Sequence, residues 1–529
     1  MNNGIRLLAL LAWSWCLGAL AATTPLATLT LGNDTEGMGI DPVLRKAYVT
    51  NYASGTVSVI DLDTNALVGT FNAGTNPRRL IVDAAHHLVY WVNDTNPGGV
   101  TVFDGNTNAF VTRIPVGNRP RTIASDFRKG EVYAGNRDGN SVSVIDTGTN
   151  TVVRTIPVGR QPAGIDVGEQ LNRIYVVNRA DNTVSVIDQA SGATVTVPVG
   201  RNPGYARVDE RTGKAYVNNV DDKTMSIIGP ANTVVKTIPT GAGTVFNFAA
   251  ASGVYRRIYL ANAIDNTLTI IDTDTDTVVR TVGVGAAPQD VIVDGSGGNV
   301  YVVNQDGNSV SVLDARTETV IRTVPVGTSP WRIAAGADRV LTLNQNGDAP
   351  DSVTITTQEE TLAGTSVATD WYHAAFDHYF HSANEVENRV LIDGLFHEDW
   401  SRTMQFFRVW TEAGTGRQPV CRFFSASFAP KSSHFYTPYA PECELRKADP
   451  AWQFESGAVY YLAPTDTSGN CATGTVPLYR VYNNGQGGAP NHRYTADRNT
   501  RDQMKAMGWV GEGNGVDEIF ACTPTLRGD

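Results

Sequence analysis

Short apolar runs, some alternating and some continuous, follow one another along the first two-thirds of the chain. Around residue 170 these runs are AGIDVG, RIYVVN, TVSVID and ATVTVPVG, rich in Val, Ile, Thr and Tyr. Clusters of Gly, Asn, Asp and Pro separate them, as tight turns between strands require. IYVVN is almost continuously apolar, which is typical of a strand buried on both faces, whereas TVSVID alternates. The pattern predicts short β-strands and no long helix in this region.

The four-strand pattern recurs with a nearly constant period. The last residue of the VSVID-type run falls at Asp61, Asp104, Asp146, Asp188, Gly229, Asp272, Asp314 and Thr356. Successive copies are therefore separated by 41 to 43 residues. Four strands per period of about 42 residues are typical of a β-propeller blade.

The strand count also predicts how the ring closes. The last unit has strand-like runs at residues 331–335, 339–344 and 353–357 but no fourth run, whereas ATLTLG at residues 27–32 is a strand without a unit. Pairing the two would remove an open sheet edge. We expect an all-β fold with a propeller of eight four-stranded blades closed by the N-terminal strand. Seven blades is the alternative if the most degraded unit is not a true blade.

The second run of several units carries a family resemblance. AYVTN, IYVVN, AYVNN and VYVVN stand at residues 47–51, 174–178, 215–219 and 300–304. They resemble the YVTN-family β-propeller repeat, and the resemblance covers roughly residues 27–357 of a propeller domain that we place at residues 22–357. It implies a propeller in a bacterial or archaeal surface or exported protein. It implies no single activity, because one fold hosts many functions.

A second repeat with a longer period follows a polar linker at residues 358–369. His378 in DHYF, His434 in HFYT and His492 in HRYT mark its three copies, and FFRVW, CRFF and LYRVY look like related strands. A tryptophan follows each copy, at Trp400, Trp452 and Trp509. We expect a compact, pseudo-threefold, β-rich module over residues 370–524, with a tail at 525–529. It resembles a bacterial repeat family of unknown function marked by HFYT motifs, which implies an accessory module.

The N-terminus predicts export. Arg6 precedes a mostly apolar, uncharged stretch at residues 7–20, and Ala19 and Ala21 are small residues of the kind that a signal peptidase reads. We assign residues 1–21 to a signal peptide. A retained membrane anchor is the alternative, but the apolar run is short for a span. We expect a periplasmic, secreted or cell-surface protein, with no membrane span after cleavage.

The cysteines agree with export. Four remain after the signal peptide, Cys421, Cys443, Cys471 and Cys522, and an even number in an exported chain favours disulfides. Three pairings are open. Cys421 with Cys443 and Cys471 with Cys522 is the pairing that keeps each bond within one repeat.

Composition excludes one class of partner. The formal net charge is -11, so the basic surface that nucleic-acid binding needs is missing. We therefore expect no nucleic-acid partner, and we expect a monomer.

Candidate catalytic groups are scarce in the propeller repeats. His86 and His87 are the only histidines there, and the chain contains neither GxSxG nor CxxCH. Asp272 opens DTDTDT, but Thr277 and Gly283 stand where a calcium loop of the EF-hand type needs Gly and Glu, so the motif predicts a turn. We assign no catalytic residue, cofactor or metal.

The histidines of the second region offer a metal site as an alternative. His373, His378 and His381 are close in sequence. Zinc needs three or four converging ligands. We interpret His378 as an architectural residue of the repeated motif instead.

The candidate binding site lies at the mouth of the predicted channel. The residues that begin each innermost strand differ from unit to unit, although the surrounding turns match. The differing residues are Arg78, Arg79, Arg121, Tyr205, Phe246, Gln289, Asp290, Trp331 and Arg332. Arginine, aromatic and acidic groups around one opening suit an anionic, peptide or sugar ligand.

An asparagine ends the second strand of every unit. These residues are Asn51, Asn93, Asn136, Asn178, Asn219, Asn262, Asn304 and Asn344. Because Asn at a strand end usually bonds nearby backbone or turn groups, we interpret the ring as architecture.

Three functions are consistent with these patterns. The leading hypothesis is an exported, non-catalytic binding or scaffold protein that presents the propeller to a protein, peptide or envelope glycan. The alternatives are a propeller enzyme, lactonase-like or another hydrolase, with its site at the channel mouth, and a structural surface-layer component.

Overall fold

The computed structural model describes most of the chain beyond the predicted signal peptide. The described residues are 25–241, 249–252, 255–294, 298–315, 317–337, 339–345, 347, 350–357, 365–376, 378–392, 400–428, 431–466, 468–486 and 489–524. The predicted signal peptide, Phe246 and the predicted tail lie outside them.

Eight four-stranded antiparallel sheets form the propeller, each ordered from the innermost to the outermost strand. Blades one to four are β2 (Thr35–Asp41), β3 (Lys46–Asn51), β4 (Thr56–Asp61), β5 (Ala66–Asn72); β6 (Pro77–Asp83), β7 (Leu88–Asn93), β8 (Gly98–Asp104), β9 (Ala109–Val116); β10 (Pro120–Asp126), β11 (Glu131–Asn136), β12 (Ser141–Asp146), β13 (Thr151–Pro157); and β14 (Pro162–Gly168), β15 (Arg173–Asn178), β16 (Thr183–Asp188), β17 (Thr194–Pro198). Blades five to eight are β18 (Pro203–Asp209), β19 (Lys214–Asn219), β20 (Thr224–Ile228), β21 (Val234–Pro239); β22 (Ala249–Ser252), β23 (Arg257–Asn262), β24 (Thr267–Asp272), β25 (Thr277–Gly283); β26 (Pro288–Val293), β27 (Asn299–Asn304), β28 (Ser309–Asp314), β29 (Thr319–Pro325); and β30 (Pro330–Gly336), β31 (Arg339–Asn344), β32 (Ser352–Thr357), β1 (Ala27–Thr30).

The N-terminal strand closes the ring as predicted. β1 pairs with β32, with Ala27 opposite Ile355 and Thr30 opposite Ser352. The innermost strands β30 and β2 also contact each other, so the last blade packs on the first. The eight-bladed interpretation is therefore confirmed.

Each blade buries its two central strands against its neighbours. Tyr48 and Val57 of blade one form a cluster with Val89 and Trp91 of blade two, and all four side chains are fully buried. The second strand of a blade is covered on both faces, which explains its continuous apolar run. The outermost strands expose many of their side chains to solvent. Phe110 on β9, for example, is 60% exposed.

The ring of asparagines is architectural. Asn178 Nδ2 donates to Thr183 Oγ1 at 3.0 Å and to Ser185 Oγ at 2.9 Å, which ties the second strand to the third. The same pair of bonds recurs at Asn51, Asn136, Asn219, Asn262, Asn304 and Asn344. Asn93 departs from it, because its Nδ2 donates to the carbonyl oxygens of Ala73 and Thr75.

The C-terminal module repeats one unit three times. Its elements are β33 (Thr365–His373), β34 (His378–Ser382), α1 (Glu385–Ile392), β35 (Trp400–Trp410); β36 (Gln418–Pro419), β37 (Cys421–Ser425), β38 (Ser433–Thr437), α2 (Ala440–Lys447), β39 (Gln453–Ser456), β40 (Tyr461–Leu462); and β41 (Thr475–Tyr482), β42 (His492–Thr495), α3 (Arg498–Ala506), β43 (Val510–Gly511), β44 (Ala521–Pro524). Three strands form each unit, in the orders β34-β33-β35, β38-β37-β39 and β42-β41-β43, with one helix between the second and third strands in sequence. The pseudo-threefold prediction is confirmed.

The strand pairing corrects the alignment of the first unit in two ways. FFRVW lies in β35, the third strand, whereas CRFF and LYRVY lie in β37 and β41, the first strands. His434 lies opposite Phe424 and His492 opposite Tyr482, and the corresponding pair in the first unit is Tyr379 opposite Tyr372. Tyr379, one residue after His378, is therefore the true counterpart of the two histidines.

The first strand of the module, β33, begins at Thr365, within residues 358–369 that the sequence analysis assigned to a linker. Thr365 and Thr369 are buried polar side chains in this paired strand, which is why the stretch looks polar in the sequence. Both predicted disulfides are present, Cys421–Cys443 and Cys471–Cys522.

Candidate functional site

A β-bulge lies near the start of the innermost strand in seven blades, and in the sixth blade the described pairing of β22 with β23 shows no register shift. The register shifts lie between Thr35 and Gly37, Pro77 and Leu80, Pro120 and Thr122, Pro162 and Gly164, Pro203 and Ala206, Pro288 and Asp290, and Pro330 and Arg332. A bulge leaves an extra residue unpaired and redirects the side chains beside it. The residues that vary between the units are therefore those that the bulges place at the mouth.

Asp94 is the centre of one group at the mouth. Its side chain is fully buried, and it accepts hydrogen bonds from Nε of Arg78 at 2.8 Å, Arg119 at 2.9 Å and Arg121 at 2.9 Å. Arg78 also donates to Glu36 Oε1 at 2.6 Å. The arginines hold the pKa of Asp94 below its usual range, although burial opposes them. One carboxylate is thus shared by three guanidinium groups.

A second group bridges the channel. Arg79 on β6 donates to the hydroxyl of Tyr205 on β18, and its Cζ lies 4.8 Å from the centre of the tyrosine ring. Blades two and five are separated by two blades, so this contact spans the opening. Arg332 lies 4.0 Å from Asp290 and 4.5 Å from the ring centre of Trp331.

Burial and mutual repulsion make this region unfavourable for positive charge. Burial lowers the pKa of Arg332 to about 10, with Arg79 contributing in the same direction. Burial also lowers the pKa of Arg179, and the nearby guanidiniums of Arg137, Arg79 and Arg121 lower it further. An incoming anion would relieve this repulsion.

The structure places all but one of the described site residues in one of these two groups. Arg78 and Arg121 belong to the Asp94 group, and Arg79, Tyr205, Asp290, Trp331 and Arg332 belong to the channel group. Gln289 belongs to neither group; its Nε2 donates to Gln305 Oε1 at 2.9 Å.

Sequence reasoning missed a second set of mouth residues. Each follows directly after the asparagine of the ring, in the turn between the second and third strands. The described set is Tyr52, Asp94, Arg137, Arg179, Val220, Ala263, Gln305 and Gln345. Their variability beside an otherwise repeated Asn was the signal that could have identified them.

The other candidates have structural partners. His86 and His87 bond to Asp83 and Asp41, at the opposite ends of the innermost strands from the mouth. Asp272 Oδ1 accepts from the amides of Asp274 and Thr275, which makes DTDTDT a hydrogen-bonded turn. Within the described part of the chain, no group of three or more His, Cys, Asp or Glu side chains could hold a metal ion.

Among the described residues of the module, His373, His378, His381 and His492 are buried and His434 is half-buried. His434 Nδ1 lies 2.8 Å from His378 Nε2, and His381 stacks on Tyr436 with ring centres 3.6 Å apart. Burial lowers the pKa of His378 and of His381 well below the usual value, so both are neutral near pH 7. They pack the units together rather than facing a ligand.

These features define a β-propeller with an appended three-unit module. Residues 367–517 match the family model described as Domain of unknown function (DUF5648). A search of curated protein sequences finds no match. No helix among the described residues is long and apolar enough to cross a membrane.

Solved structures resemble the chain at the level of fold. Sqt1 of Saccharomyces cerevisiae aligns with a TM-score of 0.54 and 12% identity, over 64% of this chain and 100% of Sqt1. Kuenenia stuttgartiensis hydrazine synthase aligns with a TM-score of 0.42 and 18% identity, over 57% of this chain and 99% of that chain. A functionally unknown protein from Desulfotomaculum acetoxidans has a TM-score of 0.39 and 17% identity, over 48% of this chain and 86% of that chain. The likeness to Sqt1 supports the propeller fold and nothing about activity.

Proposed function

We propose that this protein is an exported, non-catalytic binding protein whose propeller mouth captures an acidic segment of a partner protein. The observation that carries the proposal is the sharing of the buried Asp94 carboxylate by Arg78, Arg119 and Arg121.

The site is rich in arginine although the chain as a whole is acidic. The chain has a formal net charge of -11. The three arginines share Asp94, Arg78 also pairs with Glu36, and Arg119 lies 3.7 Å from the exposed Asp138. Arg119 and Arg121 keep about a third of their side-chain surface exposed, so their outer faces can donate to carboxylates from outside.

Aromatic rings support three of the mouth arginines. The Cζ atoms of Arg78, Arg79 and Arg332 lie 4.4, 4.8 and 4.5 Å from the ring centres of Tyr52, Tyr205 and Trp331, respectively. Stacking reduces the entropy that these side chains lose when a ligand binds. Arg, Tyr and Trp dominate the energetics of protein interfaces, so this composition favours a protein partner over a glycan.

The compartment follows from the cysteines and the N-terminus. Two disulfides cross-link the module, and disulfides are typical of proteins in an oxidising environment. Together with the predicted signal peptide, they support a site of action outside the cytoplasm.

The test is binding of defined polymers to the chain that starts at residue 22. The probes are a fluorescent decaglutamate peptide, a decalysine peptide and polygalacturonate. We expect the acidic peptide to bind and the basic peptide not to bind. The double variant Arg119→Gln/Arg121→Gln should weaken binding by at least about tenfold, because each charge-assisted bond contributes roughly 1.5–3 kcal/mol.

Arg160→Gln is the matched control. Arg160 lies in the equivalent loop of blade four, pairs with Asp181 at 2.6 Å and is 69% exposed. It should leave affinity unchanged. Equal loss in the control, or no loss in the double variant, would contradict the proposal, and preferential binding of polygalacturonate would replace the protein partner by a glycan.

A further inference from the structure

A cavity of about 310 Å³ lies inside the propeller channel. The innermost strands of four successive blades, β6, β10, β14 and β18, form its wall, together with Glu169 just after β14. Arg79 and Tyr205, at the third position of their strands, belong to the end of the lining nearest the mouth. Known small-molecule sites begin at about this volume. The cavity is therefore large enough for one small molecule and too small for a folded partner.

The charged groups of the lining balance one another. They are two arginines, Arg79 and Arg207, and two acids, Asp166 and Glu169. Asp166 Oδ1 lies 3.5 Å from Arg207 Nη1, and Glu169 Oε2 lies 3.0 Å from Arg128 Nε, so each carboxylate already has a guanidinium partner. A charged ligand would lose its hydration in the cavity without meeting a net opposite charge, which is unfavourable. The lining therefore favours a neutral ligand.

The paired groups still present hydrogen-bonding surface to the cavity. Asp166 and Arg207 keep 26% and 31% of their side-chain surface exposed, although both stand inside the channel. Glu169 keeps 34%. A carboxylate has several lone-pair sites and a guanidinium several N–H donors, so one ion pair does not exhaust either group. The lining is thus able to donate and to accept hydrogen bonds.

Backbone groups and hydroxyls add further donors and acceptors. Each of the four wall strands is the first strand of its sheet, so its channel side carries N–H and C=O groups that take no part in the sheet ladder. One of them, the amide of Val208, donates to Asp166 Oδ2 at 2.9 Å. Thr122 and Ser125 of β10 also line the cavity, and each carries a hydroxyl group. Aliphatic residues complete the wall: Ile81, Ile123, Ile165 and Val167.

We propose that the channel binds a free neutral monosaccharide. A pyranose ring has no net charge, its hydroxyl groups both donate and accept, and its C–H groups pack against aliphatic side chains, which matches this wall. Because the contact between Arg79 and Tyr205 spans the channel at the mouth end of the cavity, the ligand is a free sugar rather than the end of a glycan chain. The inference goes beyond the capture of a partner protein, since the lining includes neither Asp94 nor the arginines that share it.

The test compares neutral hexoses with charged derivatives of the same ring. Binding of D-glucose, D-galactose and D-mannose, and of the uronate and the amino sugar derived from each, is measured by titration calorimetry on the chain that starts at residue 22. We expect at least one neutral hexose to bind at least about tenfold more tightly than its two charged derivatives, because only the derivatives bury a charge that the cavity does not compensate. Maltose and lactose, which extend a hexose by a second ring, should bind more weakly than that hexose.

One double variant locates the site. Ala124→Ile/Ser125→Val gives β10 the residues that β6 carries at the same strand positions, Ile81 and Val82, so both side chains are already accepted in a blade of this fold. The change narrows the cavity and removes a hydroxyl group but keeps every charge, and hexose binding should weaken by about tenfold or more. Arg160→Gln should have no effect, because Arg160 is outside the lining. Circular dichroism and thermal melting check that each variant is folded.

The results separate this inference from the proposed function. Hexose binding without decaglutamate capture would support the channel site and remove the partner-protein proposal, and the reverse result would remove only the channel site. The inference is overturned if no hexose binds, if a charged derivative binds as tightly as its neutral hexose, if a disaccharide binds as tightly as the free sugar, or if binding survives Ala124→Ile/Ser125→Val. Should the double variant not fold, the matched derivatives and the disaccharides decide.

Discussion

Gly159 packs directly against the side-chain amide of Asn178, so that a β-carbon on Gly159 would lie 2.7 Å from Asn178 Cγ. The glycine lies two residues after the fourth strand of one blade, β13, and the asparagine ends the second strand of the next blade, β15. The same contact recurs around the ring at Gly32, Gly74, Gly117, Gly200, Gly241, Gly285 and Gly327, each against the corresponding asparagine. The recurring Gly and Asn of the repeat are therefore two halves of one packing contact between neighbouring blades.

Replacing that glycine should destabilise the propeller. Gly159→Ala forces the Asn178 amide away from Thr183 and Ser185, and we expect a loss of about 1–3 kcal/mol in the free energy of unfolding, typical of overpacking. The measurement is chemical denaturation. Gly283→Ala is the control, because a β-carbon there meets nothing within 4 Å. Equal effects of the two substitutions would show that the contact is not what requires glycine.

Removing the N-terminal strand should open the ring. A chain that starts at residue 33 lacks the strand that pairs with β32 and the buried side chain of Leu31. It leaves the edge of β32 exposed, and we expect a melting temperature lower by several degrees and a greater tendency to aggregate. The reference is the chain that starts at residue 22. An unchanged melting temperature would mean that closure contributes nothing to stability.

Asp94 should be the most sensitive acidic residue of the mouth. Asp94→Asn leaves Arg78, Arg119 and Arg121 close together without the carboxylate they share, and we expect a loss of at least about 2 kcal/mol. Asp138→Asn serves as the control because Asp138 is 41% exposed, and it should change stability by less than about 0.5 kcal/mol. Adding Arg121→Gln to Asp94→Asn should recover part of the loss. A double variant no more stable than Asp94→Asn alone would refute the shared-carboxylate interpretation.

Asp370 should give the module a pH-dependent stability. Its fully buried carboxylate joins the first unit to the third through Arg493, at 3.3 Å, and burial raises its pKa to about 7. The folded module therefore holds a proton that the unfolded chain releases near pH 4. This contribution to stability is fully present below about pH 4 and is lost as the pH rises to about 7.

Asp370→Asn isolates this effect. Asparagine keeps an acceptor for Thr403 and Arg493 but does not titrate. Denaturation of both proteins at about pH 4.5, 6 and 7.5 should show the wild type losing stability relative to the variant as the pH rises. The comparison cancels the buried histidines, whose lowered pKa values act in the opposite direction. Parallel curves would show that Asp370 does not titrate in this range.

The first unit of the module shows where repeat reasoning fails. The second and third units carry Arg422 and Arg480, which pair with Glu387 and Glu442 of the preceding units. At the same strand position the first unit has Asp370, which lies opposite His381. Its cation comes instead from Arg493 of the third unit. The charge at one of three related interfaces is therefore reversed. The histidine motif of this unit is also displaced by one residue, because Tyr379 occupies the position of His434 and His492 and His378 stands beside it.

The sequence by itself favoured eight blades over seven and one cysteine pairing out of three, and the structure decided both. The sequence determined the repeat period, the strand order within a unit and the closing role of the N-terminal strand. These features depend on local period and spacing, which are visible along a single chain. Only the tertiary structure decided which side chains meet. Arg79 and Tyr205 are 126 residues apart. Arg78 and Arg121 reach Asp94 from bulged strands, and Arg119 reaches it from the turn just before β10. Such contacts depend on the angular positions of the blades and on the direction of each side chain, and neither leaves a periodic trace in the sequence.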